Sequence, residues 1–309
     1  MSRAGKALAI LILPITLGIF ALYLLWGNPD PNILWQVRVP RLCLTVITGM
    51  SLAAIGSVYQ LMLANPLAEP YILGISSGSA FGSILMAALG LIVLMPLGGF
   101  IGAILTMLLV WRLAQKNGMF DRSRLIIAGV IVGMFFSSGI SLIMYLNRED
   151  TALIMSTLMG NLGRIFSFRE WHIFLGLSIL NIGILIWLYL KSRALDIMSA
   201  SDHYAASVGI DVHRLRKQVF VLSSVLIGIV VSYAGIIGFV GLITPHIVRM
   251  MIPGTQKRIY PACLILGALF LTLADFIAKS MTVMELPVGV VTAAIGCPFF
   301  MWLLLRRQT

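Results

Sequence analysis

The sequence predicts an all-α, polytopic membrane protein of about ten transmembrane helices, forming one domain over 1–309. Composition is the first reason: of 309 residues, 60% are hydrophobic and 11% charged, whereas a soluble domain carries about 25% charged residues. With so few charges most of the surface must face lipid. The second reason is the recurrence of apolar stretches close to the ~20 residues that cross a hydrocarbon core. The third is that the charges gather at one set of connections.

The opening segment carries Arg3 and Lys6 ahead of an apolar run from Ala7 to Trp26. That run has spanning length and no small-x-small cleavage site, so it reads as a helix and not as a signal peptide. The predicted spans are 7–26, 42–63, 72–92, 96–114, 125–146, 172–190, 218–234, 236–251, 261–279 and 286–305. The pair around Gly235 is short and glycine-broken, and 151–162 reads as a further short, non-spanning helix.

Ten crossings place both termini on one side. With the N-terminus inside, the inner connections hold sixteen basic and five acidic residues, and the outer ones six and six. The net charge of +11 therefore resides on the inner face, as positive-inside topology requires. Nucleic-acid binding is not needed to explain the basic balance.

The longest polar interval, 191–217, falls inside between the sixth and seventh spans. Within it, Ala200, Ser201, Asp202, Ala205, Ala206, Ser207, Val208, Gly209 and Ile210 read as a short helix capped near Ser201 and closed by Gly209, with a second short helix continuing through Arg216. Such a feature is either a solvated connector or a handle for a partner.

Gly74-Ile75-Ser76-Ser77-Gly78 matches a nucleophile-elbow pattern, but it opens a membrane helix and has no plausible histidine partner. Gly74, Gly78 and Gly82, four apart, instead make a flat face for helix packing. Gly129, Gly133, Ser137 and Ser141 form a similar stripe in the fifth span, open to either packing or lining a pathway for a large solute.

No phosphate-binding Walker sequence is present, so any ATP must be bound by another chain. Asp275 and Glu285 lie near span ends, and no acid falls at mid-span, which disfavours an ion-gradient-driven secondary transporter of a hydrophobic solute. Cys43, Cys263 and Cys297 lack ligand spacing and read as buried apolar fillers, and the methionines as flexible core material. No metal site and no catalytic residue is expected. On the outer side, Arg38, Arg41 and Lys279 either snorkel to lipid headgroups or dock an acidic partner.

Four blocks in order along the chain carry a resemblance. They are Arg38-Val39-Pro40-Arg41, the run Asn65-Pro66-Leu67-Ala68-Glu69-Pro70 through Gly78, Gly238 through Arg249, and Glu285-Leu286-Pro287-Val288-Gly289. Together they are similar to the FecCD/BtuC family of type II ABC importer permeases.

The resemblance implies a ten-helix permease fold in the bacterial inner membrane, multi-pass, with both termini cytoplasmic. It also implies a homodimer, or a heterodimer with a related permease. Two cytoplasmic ATPase subunits would carry the ATP and magnesium, leaving this chain without a cofactor, and an extracytoplasmic binding protein would deliver the substrate. The expected cargo is an iron–siderophore, haem or cobalamin, or an oxyanion in some members. Position by position, the 199–212 segment is similar to the family's ATPase-coupling helices, with Ser201-Asp202 replacing the usual Gly-Glu start. Asn65, Pro66 and Leu67 correspond to an inner gate. Arg38, Arg41 and Lys279 correspond to the binding-protein contact.

Overall fold

A computed structural model describes residues 3–116, 119–147, 151–281 and 285–306. Thirteen helices account for nearly all of it. They are α1 (Arg3–Leu25), α2 (Val39–Met62), α3 (Ile75–Ala88), α4 (Met95–Ala114), α5 (Arg122–Leu146), α6 (Thr151–Met159), α7 (Phe168–Leu190), α8 (Ser192–Ala200), α9 (Asp202–Ser207), α10 (Val212–Ala234), α11 (Val240–Met251), α12 (Gln256–Ser280) and α13 (Val288–Arg306). Among the described residues, six helical stretches are long and apolar enough to cross a membrane, and four shorter apolar helices fill the other expected positions.

Local chemistry sets several boundaries. Asp30 caps the turn Pro31–Ile33, which runs through a π-wound segment, Leu34–Arg38, into α2. The α7 helix starts at Phe168, four residues before the predicted 172, because Ser167 and Glu170 form a reciprocal capping box. Asp121 and Asp211 cap α5 and α10 by accepting from Arg124 N–H (3.0 Å) and Arg214 N–H (2.9 Å). A two-residue ladder, Gln115–Lys116 against Met119–Phe120, closes the turn between α4 and α5.

The hub is α2, most of whose residues are buried, packed against α12, α11 and α10. Between apolar helices in lipid, association depends on close approach, which small residues permit. A methyl group on Gly56 would strike the Gly241 backbone of α11, and one on Gly49 would strike Gly267 of α12. The predicted glycine face of α3 packs the same way: Gly78 meets Gly102 and Thr106 of α4, Gly82 meets Gly98, and Gly74 meets Gly129 of α5. Large apolar side chains such as Leu17, Ile131, Phe135, Ile186 and Leu190 remain exposed on the outer faces of α1, α5 and α7, as a lipid-embedded bundle requires.

The glycine-broken pair of spans is a true interruption. Helix α10 stops at Ala234, and α11 resumes at Val240 with only 12 residues. Between them Gly235 and Phe239 both take positive φ (71° and 69°), conformations that β-carbons oppose. Other segments satisfy the freed backbone groups. Ile236 N–H donates to Thr157 O (3.1 Å), Asn161 N–H to Ala234 O (2.9 Å), Ile237 N–H to Tyr71 Oη (2.7 Å), and Phe239 N–H to Glu69 Oε1 (2.5 Å). Irregular backbone is tolerated at membrane depth only when protein groups pair it in this way.

Two sequence expectations need correction here. The 191–217 interval contains α8, which was not anticipated, and its second short helix is the first turns of α10, continuous through Arg216 into the seventh span. Among the cysteines, Cys263 is buried, Cys43 half-buried and Cys297 exposed on α13, so Cys297 is not a core filler within this chain.

Candidate functional site

At one end of the bundle, the outer end by the charge rule, the three expected docking cations converge on one cluster. Arg41 stands in the first turn of α2. Its Nε and Nη2 donate to the two oxygens of Asp275 on α12 at 2.9 and 2.8 Å, and its Nη1 donates to both oxygens of Glu285 at 3.0 and 2.8 Å. Tyr23 Oη of α1 donates to Asp275 as well (2.5 Å). Lys279 Nζ stands 3.5 Å over the Tyr23 ring, and Arg38 Nη1 donates to the carbonyls of Leu24 and Trp26 that end α1 (2.8 and 2.6 Å).

One expectation changes in consequence. Arg41 is not an open surface charge; only 8% of it is exposed and two carboxylates hold it. Arg38 and Lys279 remain partly exposed at the rim. Sequence reading missed the partners because they lie 234 and 244 residues away in the chain. The usable signal was Asp275 itself, an ionisable residue inside an apolar span, which calls for a named counter-charge.

At the opposite end, Ser201 caps α9 by accepting from Tyr204 N–H (3.4 Å), and the Asp202 carboxylate accepts from Arg216 Nη2 of α10 at 2.9 and 3.0 Å. Of the coupling residues only Ala205 is fully buried; Ser201, Asp202 and Ile210 are half-buried. Ala200, Ala206, Ser207, Val208 and Gly209 are exposed, and Gly209 takes φ +85° to end the helix. Tyr204 and Val208 are 57% and 49% exposed. A rigidly tethered short helix thus offers an apolar ridge with no cover from this chain. Helix α8 braces it: Asp196 accepts from Gln256 N–H at the start of α12 (2.9 and 3.0 Å). Burial raises the Asp196 carboxyl above its ordinary value, against the opposing effect of that N–H.

The expected gate residues form a tight turn after α2. Asn65 Oδ1 accepts from Leu67 N–H (2.9 Å), closing an Asx turn that presents Pro66 and Leu67 to the exterior. Four residues on, Glu69 and Tyr71 are the groups that cap the α10–α11 break, so the turn and the break share one short segment. Burial lifts the Glu69 carboxyl to about 7, against the lowering effect of the Phe239 N–H.

The α5 stripe divides. Gly129 is buried and Gly133 half-buried where the backbone of Gly74 crosses, so these two serve packing. Ser137 and Ser141 are exposed, with Ser141 Oγ donating back to Ser137 O (3.0 Å).

Six long and four shorter apolar helices among the described residues, with one buried hub helix, a broken span and a short exposed helix ahead of α10, define a multi-pass membrane protein. The profile of the FecCD transport family matches residues 7–306, and the chain belongs to that family. It is 36% identical over 281 residues to the vitamin B12 import system permease protein BtuC of Klebsiella pneumoniae, covering 89% of this chain and 83% of that protein. It is 32% identical to the hemin transport system permease protein HmuU of Yersinia pestis, covering 92% and 87%. Among solved structures, an inward-facing metal-chelate type ABC transporter superposes with a TM-score of 0.87 at 28% identity, covering 97% of this chain and 99% of that one. The PsaBC structure from Streptococcus pneumoniae, with a TM-score of 0.61 at 23% identity, shares the fold.

Proposed function

We propose that the chain is the permease subunit of an ATP-driven importer that moves a bulky iron chelate, haem or cobalamin-like solute inward across the bacterial cytoplasmic membrane. It works as a homodimer, or with a related permease. Two ATPase subunits bind the inner face, and a substrate-loaded binding protein docks outside, with both termini of this chain cytoplasmic. The observation that carries the proposal is the α9 ridge: a capped, charge-anchored short helix with Tyr204 and Val208 uncovered, in a chain of this family. A helix presented in this manner transmits force from a moving partner without itself deforming.

In this account the partner ATPases drive Ala200–Ile210, and the motion passes through α10 to the gate turn at Asn65–Leu67 and the adjoining α10–α11 break. Ser137 and Ser141 line the pathway at the dimer axis. The relatives' names point to tetrapyrrole and corrinoid cargo, and short hydroxyl side chains suit such large ligands. The test is uptake into proteoliposomes holding this chain, its ATPase and its binding protein, with labelled cobalamin, haem and a ferric siderophore offered in turn. Saturable, ATP-dependent uptake of one of them is the expected result. Uptake of none, in vesicles whose ATPase is active, would refute the cargo class.

A further inference from the structure

Arg41 has two unlike halves. Its Nε and Nη2 are held by Asp275, whose side chain is 1% exposed and which also receives the Tyr23 hydroxyl. Its Nη1 is held by Glu285, whose side chain is 51% exposed. The first carboxylate cannot leave without stranding a buried cation, whereas the second faces solvent. The partly exposed cations Arg38 and Lys279 flank the same place, and no ion pair joins either to a carboxylate among the described residues. With three cations against Asp275 and Glu285, the cluster keeps a net positive charge and attracts an incoming carboxylate.

We propose that Glu285 is the resident, exchangeable partner of Arg41, displaced by a carboxylate of the docking binding protein. The inference rests on the reading that such a protein docks at Arg38 and Lys279. An arriving carboxylate restores the same two-oxygen acceptor on Nη1, so the exchange leaves no buried charge unpaired. It does free Glu285, three residues ahead of the first turn of α13. There Val288 N–H donates to Gly160 O (3.1 Å), and Gly289 abuts the carbonyls of Met159 and Ile236. Glu285 therefore ties the lead into α13 to Arg41 of α2, while Val288 and Gly289 seat the same end of α13 on the junction of α6 and the α10–α11 break. Docking outside is thereby reported to helices that move with the pathway, and Glu285 acts as a positioning residue.

The experiment uses the permease–ATPase complex in nanodiscs with its cognate binding protein, reading affinity and amide hydrogen exchange at 286–290. Glu285→Gln removes the competing charge and should tighten binding about three-fold at low salt, an advantage that fades as salt screens it. In the unsubstituted complex, docking should speed exchange at Val288 and Gly289; in Glu285→Gln these amides should exchange fast before docking. Unchanged or weaker binding by Glu285→Gln overturns the exchange, as does exchange at 288–289 that is indifferent to docking in the unsubstituted complex. The double variant Arg38→Glu with Lys279→Glu separates the two readings. If it binds as well as the parent, the docking reading fails and the inference with it; if it loses binding while Glu285→Gln behaves as the parent, only the exchange fails.

Discussion

Replacing Asp275 by alanine should be among the most damaging single changes in the outer half of the bundle, and the structure ranks it against its neighbours. The substitution removes the acceptor for two Arg41 N–H groups and for the Tyr23 hydroxyl in one step, at a site 1% exposed. Breaking a buried pair by deleting one partner costs about 3–5 kcal/mol, because the remaining charge stays buried without compensation. Tyr23→Phe deletes one hydrogen bond to the same carboxylate and should cost about 1.5–3 kcal/mol, the range for a bond to a charged group. Glu285→Gln acts on a side chain 51% exposed and keeps an acceptor, so after allowance for solvent screening it should cost no more than ~1 kcal/mol. Thermal unfolding of the purified chain in mild detergent reads all three. The order should be Asp275→Ala, then Tyr23→Phe, then Glu285→Gln, and the double variant Arg41→Leu with Asp275→Leu should recover part of the loss, since no buried charge is then stranded and, beside the half-exposed Glu285, only the Tyr23 hydroxyl loses its partner. A Glu285→Gln midpoint as low as that of Asp275→Ala would refute the division of Arg41 into a fixed and an exposed half.

Further predictions bear on packing, the break and the coupling helix. Gly56→Ala puts a methyl group into the Gly241 backbone, where no side chain can turn aside, and should cost at least about 1–3 kcal/mol; Gly176→Ala, with nothing within 4 Å, should be neutral or stabilising by up to about 1 kcal/mol in the same melt. Glu69, with its carboxyl lifted to about 7, contributes stability that is full below its unfolded value near 4.5 and is lost as pH rises towards 7. The parent should therefore melt progressively lower across that window relative to Glu69→Gln, and parallel curves for the two would contradict the assignment. Tyr204→Ala with Val208→Ala should leave folding intact and reduce ATP-driven uptake at least about ten-fold, the size of effect expected from removing an exposed anchor pair; unchanged uptake would remove α9 from the coupling path.

The apolar helices were legible because each is a run of apolar residues, a pattern carried entirely by local sequence. The glycine face of α3 was legible for the same reason: Gly74, Gly78 and Gly82 fall one turn apart on a single side. The α7 boundary was readable in principle, since Ser167 and Glu170 spell a capping box, but the apolar run beginning at His172-Ile173 drew the prediction inward. Helix α8 was obscured because Lys191–Ser201 mixes charged and small residues, and its helicity owes much to Leu195 and Met198 packing into the core. The outer charge cluster was half legible. Arg38, Arg41 and Lys279 were marked as belonging together, but no local pattern tells that Asp275 and Glu285 close on Arg41 across more than 230 residues of chain. Gly129 and Gly133 were indistinguishable from pathway residues until Gly74 was seen crossing them.

The most direct test of the central claim separates the two energy sources that a permease of this architecture could use. Proteoliposomes holding the chain, its ATPase and its binding protein would be assayed for substrate uptake with ATP present and ion gradients collapsed by ionophores, and then with a gradient imposed and ATP withheld. An ATP-driven importer takes up substrate in the first condition and not in the second. Uptake that follows the gradient and proceeds without ATP or the ATPase subunit would contradict the account.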